Sequence, residues 1–140
     1  MGRCSSFMVS AATEAKALAP SLVDQVAIVT GAGSGIGAAS AAAFANAGAR
    51  VVVADVDEGS ALATATRIRD SGGDALAVRC DVADDAAVQA LVAEAVRSYG
   101  RLDIAHNNAG IDGDMTSRLA DLSTASWERV LAVNLTGVFL

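Results

Sequence analysis

The sequence predicts an α/β fold, a parallel sheet with helices wound on both faces, and three observations carry that prediction. Four short apolar runs recur without polar alternation, segments of helical spacing separate them, and a glycine-rich stretch leaves the first run and opens a helix. The runs are VAIVT (26–30), VVVAD (51–55), ALAVRCD (75–81) and LDIAH (102–106). Val- and Ile-rich runs of this kind suit strands buried on both faces, as in a parallel sheet. Their starts fall about 25 residues apart, the length of successive strand–helix–strand units. The units do not resemble one another in sequence, so the chain is not a repeat array.

Bulk properties narrow the function classes. The 140 residues, 53% of them hydrophobic, suffice for one domain with a core. The net charge is −6 and the ten basic residues are scattered, which argues against a nucleic-acid backbone partner. The longest apolar runs are too short to span a bilayer. Cys4 and Cys80 stand far apart and form neither a metal pair nor a disulfide framework. No metal site is expected, and a reducing, cytoplasmic setting is favoured.

Residues 1–20 differ from the rest and read as a flexible arm ahead of a single domain over 21–140. They lack the apolar core of a secretory signal. Gly2 and Ser6 match M-G-x-x-x-[ST], Cys4 offers a second acylation position, and the arm is Ser- and Ala-rich like a transit peptide. A targeting or lipidation role therefore stays open beside the flexible arm.

The first run leads into TGAGSGIGA, Thr30 to Ala38. Glycines there permit positive φ and let the backbone approach a ligand closely. The free N–H groups of the new helix and its dipole favour an anion, and a pyrophosphate is the natural guest. Glycines stand at 31, 33, 35 and 37, and Gly33, Gly35 and Ala38 meet the form G-x-G-x-x-[GA]. The second run ends in Asp55, twenty residues after Gly35. A carboxylate there can accept from a ribose 2′-OH and would repel a 2′-phosphate. The loop holds no Arg or Lys, and Val56 follows Asp55, so NAD is favoured over NADP. Alone, Asp55 reads equally as a solvated strand-end acid, and Asp81, at the end of the third run, as a turn or helix-entry acid.

Two helices are predicted from spacing. In 58–71, Leu62, Ala65 and Ile68 are expected inward, with Gly72 and Gly73 as the stop. In 84–99, Val88, Leu91, Val92, Ala95, Val96 and Tyr99 form the apolar face, Asp84 or Asp85 caps the start, and Gly100 ends it. His106 reads as a strand-end packing residue. NNAG (107–110) on its own reads as a turn. The polar stretch 111–123 reads either as a pocket border or as a solvated loop. Beyond it, Ser123 can cap a helix whose stripe holds Trp127, Val130, Leu131 and Val138. Asn134 falls in that stripe. A buried amide without partners costs about 1–3 kcal/mol, so a structural hydrogen bond or a functional contact must satisfy it.

Taken in order, TGAGSGIG (30–37), CDV (80–82), NNAG (107–110) and VNLTGVF (133–139) resemble the motifs of the short-chain dehydrogenase/reductase family of NAD(P)-dependent oxidoreductases. The resemblance spans roughly Leu22 to Leu140. It implies a Rossmann-type doubly wound parallel sheet that stops after the fourth strand and the start of the Asn-bearing helix. It implies that the loop from Gly31 through Ser34, Gly35 and Ile36 to Gly37 holds the pyrophosphate. Asp55 would bind the adenosine ribose, Asp81 and Val82 would flank the adenine, and Asn108, Ala109 and Gly110 would line the nicotinamide side. Asn134 would be the catalytic Asn that serves a proton relay to a Lys. The implied activity is hydride transfer between NAD(H) and a secondary alcohol or ketone, a small-molecule substrate, in a homo-oligomeric parent enzyme.

That chemistry uses a Tyr with a Lys four residues later, and a Ser. Here Tyr99 and Lys16 are the only Tyr and Lys, and Asp103 stands four after Tyr99. The expectation is therefore a cofactor-binding half, inactive alone, whose alternative is a non-catalytic NAD-binding fragment or a functionless truncation product. The expected strand order is 3-2-1-4, which leaves LDIAHN as an open edge. The 140-residue chain on its own is expected to be poorly soluble or only partly folded.

Overall fold

The structure, a computed structural model, describes residues 21–140. The arm over 1–20, with Gly2, Cys4, Ser6 and Lys16, lies outside the described residues. Strands β1 (Val26–Thr30), β2 (Arg50–Asp55), β3 (Asp74–Arg79) and β4 (Ile104–His106) form one parallel sheet in the order β3-β2-β1-β4. Helices α1 (Gly35–Asn46), α2 (Glu58–Asp70) and α3 (Asp85–Tyr99) connect them. This is the predicted order, with β4 at the edge and, among the described residues, paired only with β1.

Strand residues alternate between two cores. Ala27, Val29, Val51 and Val53 meet Ala41 of α1 and Ala61, Ala65 and Ile68 of α2. Ile28, Val52 and Ala54 face the other way, onto Cys80 and onto Leu91 and Ala95 of α3. Burial on both faces explains why the strand sequences are continuously apolar.

The expected strands 75–81 and 102–106 are trimmed in the structure. Leu102 and Asp103 lie ahead of β4 because side chain replaces ladder there: Asp103 N–H donates to Val26 O at 2.9 Å, and Asp103 Oδ2 accepts from Val26 N–H at 2.9 Å. Cys80 and Asp81 lie beyond β3, although Cys80 N–H still donates to Asp55 O at 2.9 Å.

Helix ends agree closely with the sequence. Asp84, not Asp85, caps α3 by accepting from Ala86 and Ala87 N–H, and Gly100 closes it at φ 82°. Asp57 caps α2 by accepting from Gly59 and Ser60 N–H. The helix faces need correction. Leu62 is 52% exposed, because it lies one residue, about 100°, round the helix from buried Ala61. The buried stripe of α2 is Ala61, Thr64, Ala65 and Ile68. On α3, Val92 and Val96 are also exposed, and the face that packs is centred on Leu91 and Ala95.

Beyond β4 a polar loop carries a short 3₁₀ turn, Leu119–Asp121, into α4 (Thr124–Leu131), capped by Ser123 Oγ accepting from Ser126 N–H. A π-helical turn, Ala132–Thr136, and a last helical turn, Gly137–Phe139, continue it. Trp127 (58% exposed), Val138 and Asn134 are exposed rather than packed as expected. The π turn inserts an extra residue and moves Asn134 and Val138 off the α-helical stripe; Trp127 precedes the turn, and its exposure is not explained by it.

The revised face of α2 makes a direct forecast. Ile68→Ala should cost about 2–4 kcal/mol, whereas Leu62→Ala should stay within about 0.5 kcal/mol, in urea unfolding monitored by circular dichroism.

Candidate functional site

The strand order reverses between β1 and β4, with all four strands parallel. In open parallel sheets, ligands bind in the crevice at the carboxyl ends of the strands at such a point. Here the ends of β1 and β4 are tied together. Thr30, buried at the end of β1, accepts at Oγ1 from Asn108 N–H (3.0 Å) and Ala109 N–H (3.1 Å). Asn108 Nδ2 donates back to Thr30 O (2.9 Å) and to Gly31 O (3.3 Å). The glycine loop and the NNAG turn are thus one hydrogen-bonded unit.

Two glycines make that unit possible. Gly31 adopts φ 62°, and a Cβ on it would lie 2.8 Å from Ala109 Cα. A Cβ on Gly37 would lie 2.2 Å from Gly31 O and 2.5 Å from Asn108 Nδ2. The loop therefore folds back on the first turn of α1 with no room for a side chain.

The start of α1 differs from that of α2 and α3. Ser34 holds the N-cap position in extended geometry, but its side chain caps nothing, and the first turn carries no acid. Asp57 and Asp84 fill these roles on the other two helices. The leading N–H groups of α1 are left for another acceptor, as an anion site requires.

Asp55 stands at the rim of the loop. Its Oδ2 accepts from Gly33 N–H at 2.8 Å and its Oδ1 from Asp57 N–H at 3.0 Å. Each carboxylate oxygen keeps a further lone pair. Asp81 Oδ1 accepts from Ala83 N–H at 3.0 Å, and Val82 is buried. A Cβ on Gly137 would meet Val82 Cγ2 at 2.9 Å, so this glycine lets the last helical turn close on Val82.

Together these groups border a cleft of about 430 Å³. Of the residues the sequence singled out, Gly31, Ser34, Asp55, Asp81, Val82, Asn108, Ala109 and Gly110 line it. Gly35 and Ile36 do not; Ile36 is 77% exposed at the head of α1, and Gly37 is buried beneath the loop. Asn134 does not line it either. Its Oδ1 accepts from Ile111 N–H at 2.8 Å and its Nδ2 donates to Ile111 O at 3.0 Å, which ties the π turn to a residue of the cleft wall.

Sequence reasoning missed Val56, Cys80, Ala83, Arg129, Ala132 and Val133 in the wall, whereas Ile111 opens the stretch 111–123 that reads as a pocket border or a solvated loop. Position after Asp55 or before Asp81 could have found Val56 and Cys80. Nothing in the sequence pointed to Arg129, which reaches the cleft from α4. Burial, and secondarily Asp81 and Asp84, push the Cys80 thiol above its ordinary pKa, so it is a packing group rather than a nucleophile.

Tyr99 stands apart from the cleft. Its hydroxyl donates to Asp74 Oδ1 at 2.9 Å, and the Arg50 guanidinium lies 5.4 Å from its ring. Burial, then the Asp74 bond, holds its pKa well above the ordinary tyrosine value. His106 packs edge-on against Phe44 with ring centroids 6.0 Å apart, as a strand-end packing residue does. Among the described residues, no three His, Cys, Asp or Glu side chains are grouped to hold a metal, and no helix is long and apolar enough to cross a membrane.

Known proteins resemble this chain in sequence and fold. The family profile described as short chain dehydrogenase matches residues 25–140. The chain is 46% identical over 120 residues to cis-4-hydroxycyclohexanecarboxylate dehydrogenase of Sinomonas cyclohexanicum, covering 86% of this chain and 47% of that protein. It is 45% identical over 114 residues to short-chain reductase protein NovJ of Streptomyces niveus, covering 81% of this chain and 43% of that one. The structure superposes on a crystal structure of hydroxysteroid dehydrogenase from Escherichia coli with a TM-score of 0.78 and 37% identity, covering 85% of this chain and 49% of the other. The chain thus spans less than half the length of each of these relatives. With the parallel β3-β2-β1-β4 sheet, the joined loop and turn, and this profile in agreement, the chain belongs to the short-chain dehydrogenase/reductase family of oxidoreductases.

Proposed function

We propose that these residues form the NAD-binding half of a dehydrogenase that moves a hydride between NAD(H) and a secondary alcohol or ketone. The observation that carries this reading is the uncapped start of α1 beside Asp55, within one cleft. The N–H groups at Ser34–Gly37 would receive the pyrophosphate. Asp55 would accept the ribose hydroxyls, and its charge disfavours a 2′-phosphate, so NAD is the proposed cofactor rather than NADP. Asp81 and Val82 would flank the adenine, and Asn108, Ala109 and Gly110 the nicotinamide side. When bound, the nicotinamide supplies or accepts the hydride. The close fit of Gly31 and Gly37 against Asn108 and Ala109 holds the loop in shape before any ligand arrives, which saves ordering cost on binding. Asn134 fixes Ile111 in the cleft wall and would serve the proton relay in the complete active site.

Proton transfer to the substrate oxygen falls outside this set. Tyr99 is the only tyrosine, it is engaged with Asp74, and Asp103 rather than Lys stands four residues later. That observation favours a second reading, in which this chain binds NAD without turnover. The whole enzyme is proposed to act on a small alcohol or carbonyl compound, as a homo-oligomer in the cytoplasm, with no nucleic-acid or membrane partner.

Calorimetric titration tests the cofactor. NADH should bind at least about fivefold more tightly than NADPH, and Asp55→Asn should erase that preference. Equal affinity for the two in the unaltered chain would overturn the choice of NAD, and binding of neither would overturn the function.

The loop geometry gives a second forecast. Gly37→Ala should weaken NADH binding more than tenfold and cost over about 2 kcal/mol, because its Cβ has no space. Gly35→Ala, at φ 53° but in open space, should cost only about 1–2 kcal/mol in thermal unfolding.

A further inference from the structure

We propose that Thr64 of α2, which lines no part of the cleft, is a positioning residue for the glycine loop and, through it, for Asp55. The proposal rests on the cofactor reading above. Thr64 is a polar side chain in an apolar stripe and is only 2% exposed. A Val of the same shape would serve packing alone without burying a hydroxyl. A helical Thr commonly turns its hydroxyl to the carbonyl three or four residues back. This one reaches out of its helix instead: Oγ1 donates to Gly33 O at 3.1 Å, across 31 residues of sequence. Arg67 Nη2 donates to the same Oγ1 at 2.8 Å. Arg67 donates to one of the two lone pairs of the hydroxyl, whose one proton goes to Gly33. A charged donor feeding a hydroxyl strengthens the bond that the hydroxyl then makes.

Gly33 is held at both of its backbone polar groups. Its carbonyl is held by Thr64, and its N–H by Asp55 Oδ2 at 2.8 Å. A Cβ on Gly33 would sit 2.7 Å from Ser60 Cβ and 2.8 Å from Asp55 Oδ2, so α2 and the acid close on it from two sides. Reorienting Asp55 therefore breaks its bond to the Gly33 N–H, and a shift of Gly33 carries the carboxylate with it. The line Arg67–Thr64–Gly33–Asp55 fixes the carboxylate that is to receive the ribose, from behind the site.

The test is NADH binding, read by its fluorescence, to the unaltered chain and to Thr64→Val and Thr64→Ser. Loss of one buried hydrogen bond that leaves its acceptor unpaired predicts about tenfold weaker binding for Thr64→Val, with Thr64→Ser within about twofold of the unaltered chain. Amide exchange at Gly33 should speed up in Thr64→Val and not in Thr64→Ser. Unchanged affinity in Thr64→Val, or equal loss in both variants, would overturn the positioning role while the cofactor reading stands. Failure of the unaltered chain to bind NADH would overturn both. If Thr64→Val does not fold, Arg67→Met removes only the far link: weakening by a few fold supports the proposal, and unchanged affinity overturns it.

Discussion

Two parallel strands that part at their carboxyl ends leave backbone groups without ladder partners, and in this chain Thr30 and Asn108 satisfy them reciprocally. The hydroxyl of one accepts two N–H groups of the NNAG turn, and the amide of the other donates to two carbonyls at the end of β1. A buried carbonyl left unpaired costs about 1–3 kcal/mol, so these bonds are obligatory rather than ornamental. They also fix distance. Gly31, Gly37 and Ala109 are drawn so close that no Cβ fits between them. The crevice at the switch point gets its shape from this joint, and the free start of α1 gets its direction.

The groups that the joint leaves unsatisfied define the chemistry of the cleft. The N-termini of α2 and α3 are closed by Asp57 and Asp84, whereas that of α1 has neither a side-chain cap nor an acid. The acid nearest the loop, Asp55, is held at the rim by Gly33 and Asp57 N–H. Positive dipole inside and a hydroxyl acceptor at the edge match a pyrophosphate joined to a ribose. On the far wall, Asn134 ties the π turn to Ile111, and Gly137 closes on Val82.

Much of this was legible in the sequence because it depends on local rules. Apolar runs without alternation gave the strands, the spacing of the runs gave parallel connections, and Gly100 and Gly72 marked helix ends that the structure keeps. The glycine loop, Asp55, Asp81 and NNAG were found as separate motifs, and the cleft brings most of them together. The features that escaped were rotational or long-range. Leu62 and Val96 lie one residue round from the true stripes, a distinction that apolar spacing does not make. Asn134 was expected on a packed face, but a π turn, invisible to a periodicity of 3.6, alters the stripe around it. Arg129 and the Thr64–Gly33 bond join segments far apart in sequence, and no local pattern announces them.

The central claim is that the β1 loop and the β4 turn act as one site for a dinucleotide. Backbone amide chemical shifts recorded during a titration with NADH test it most directly. The account predicts that Ser34–Gly37, Asp55, Asp81, Val82 and Asn108–Gly110 shift together along a single binding curve. Shifts confined to one of these segments, or centred away from them, would contradict it.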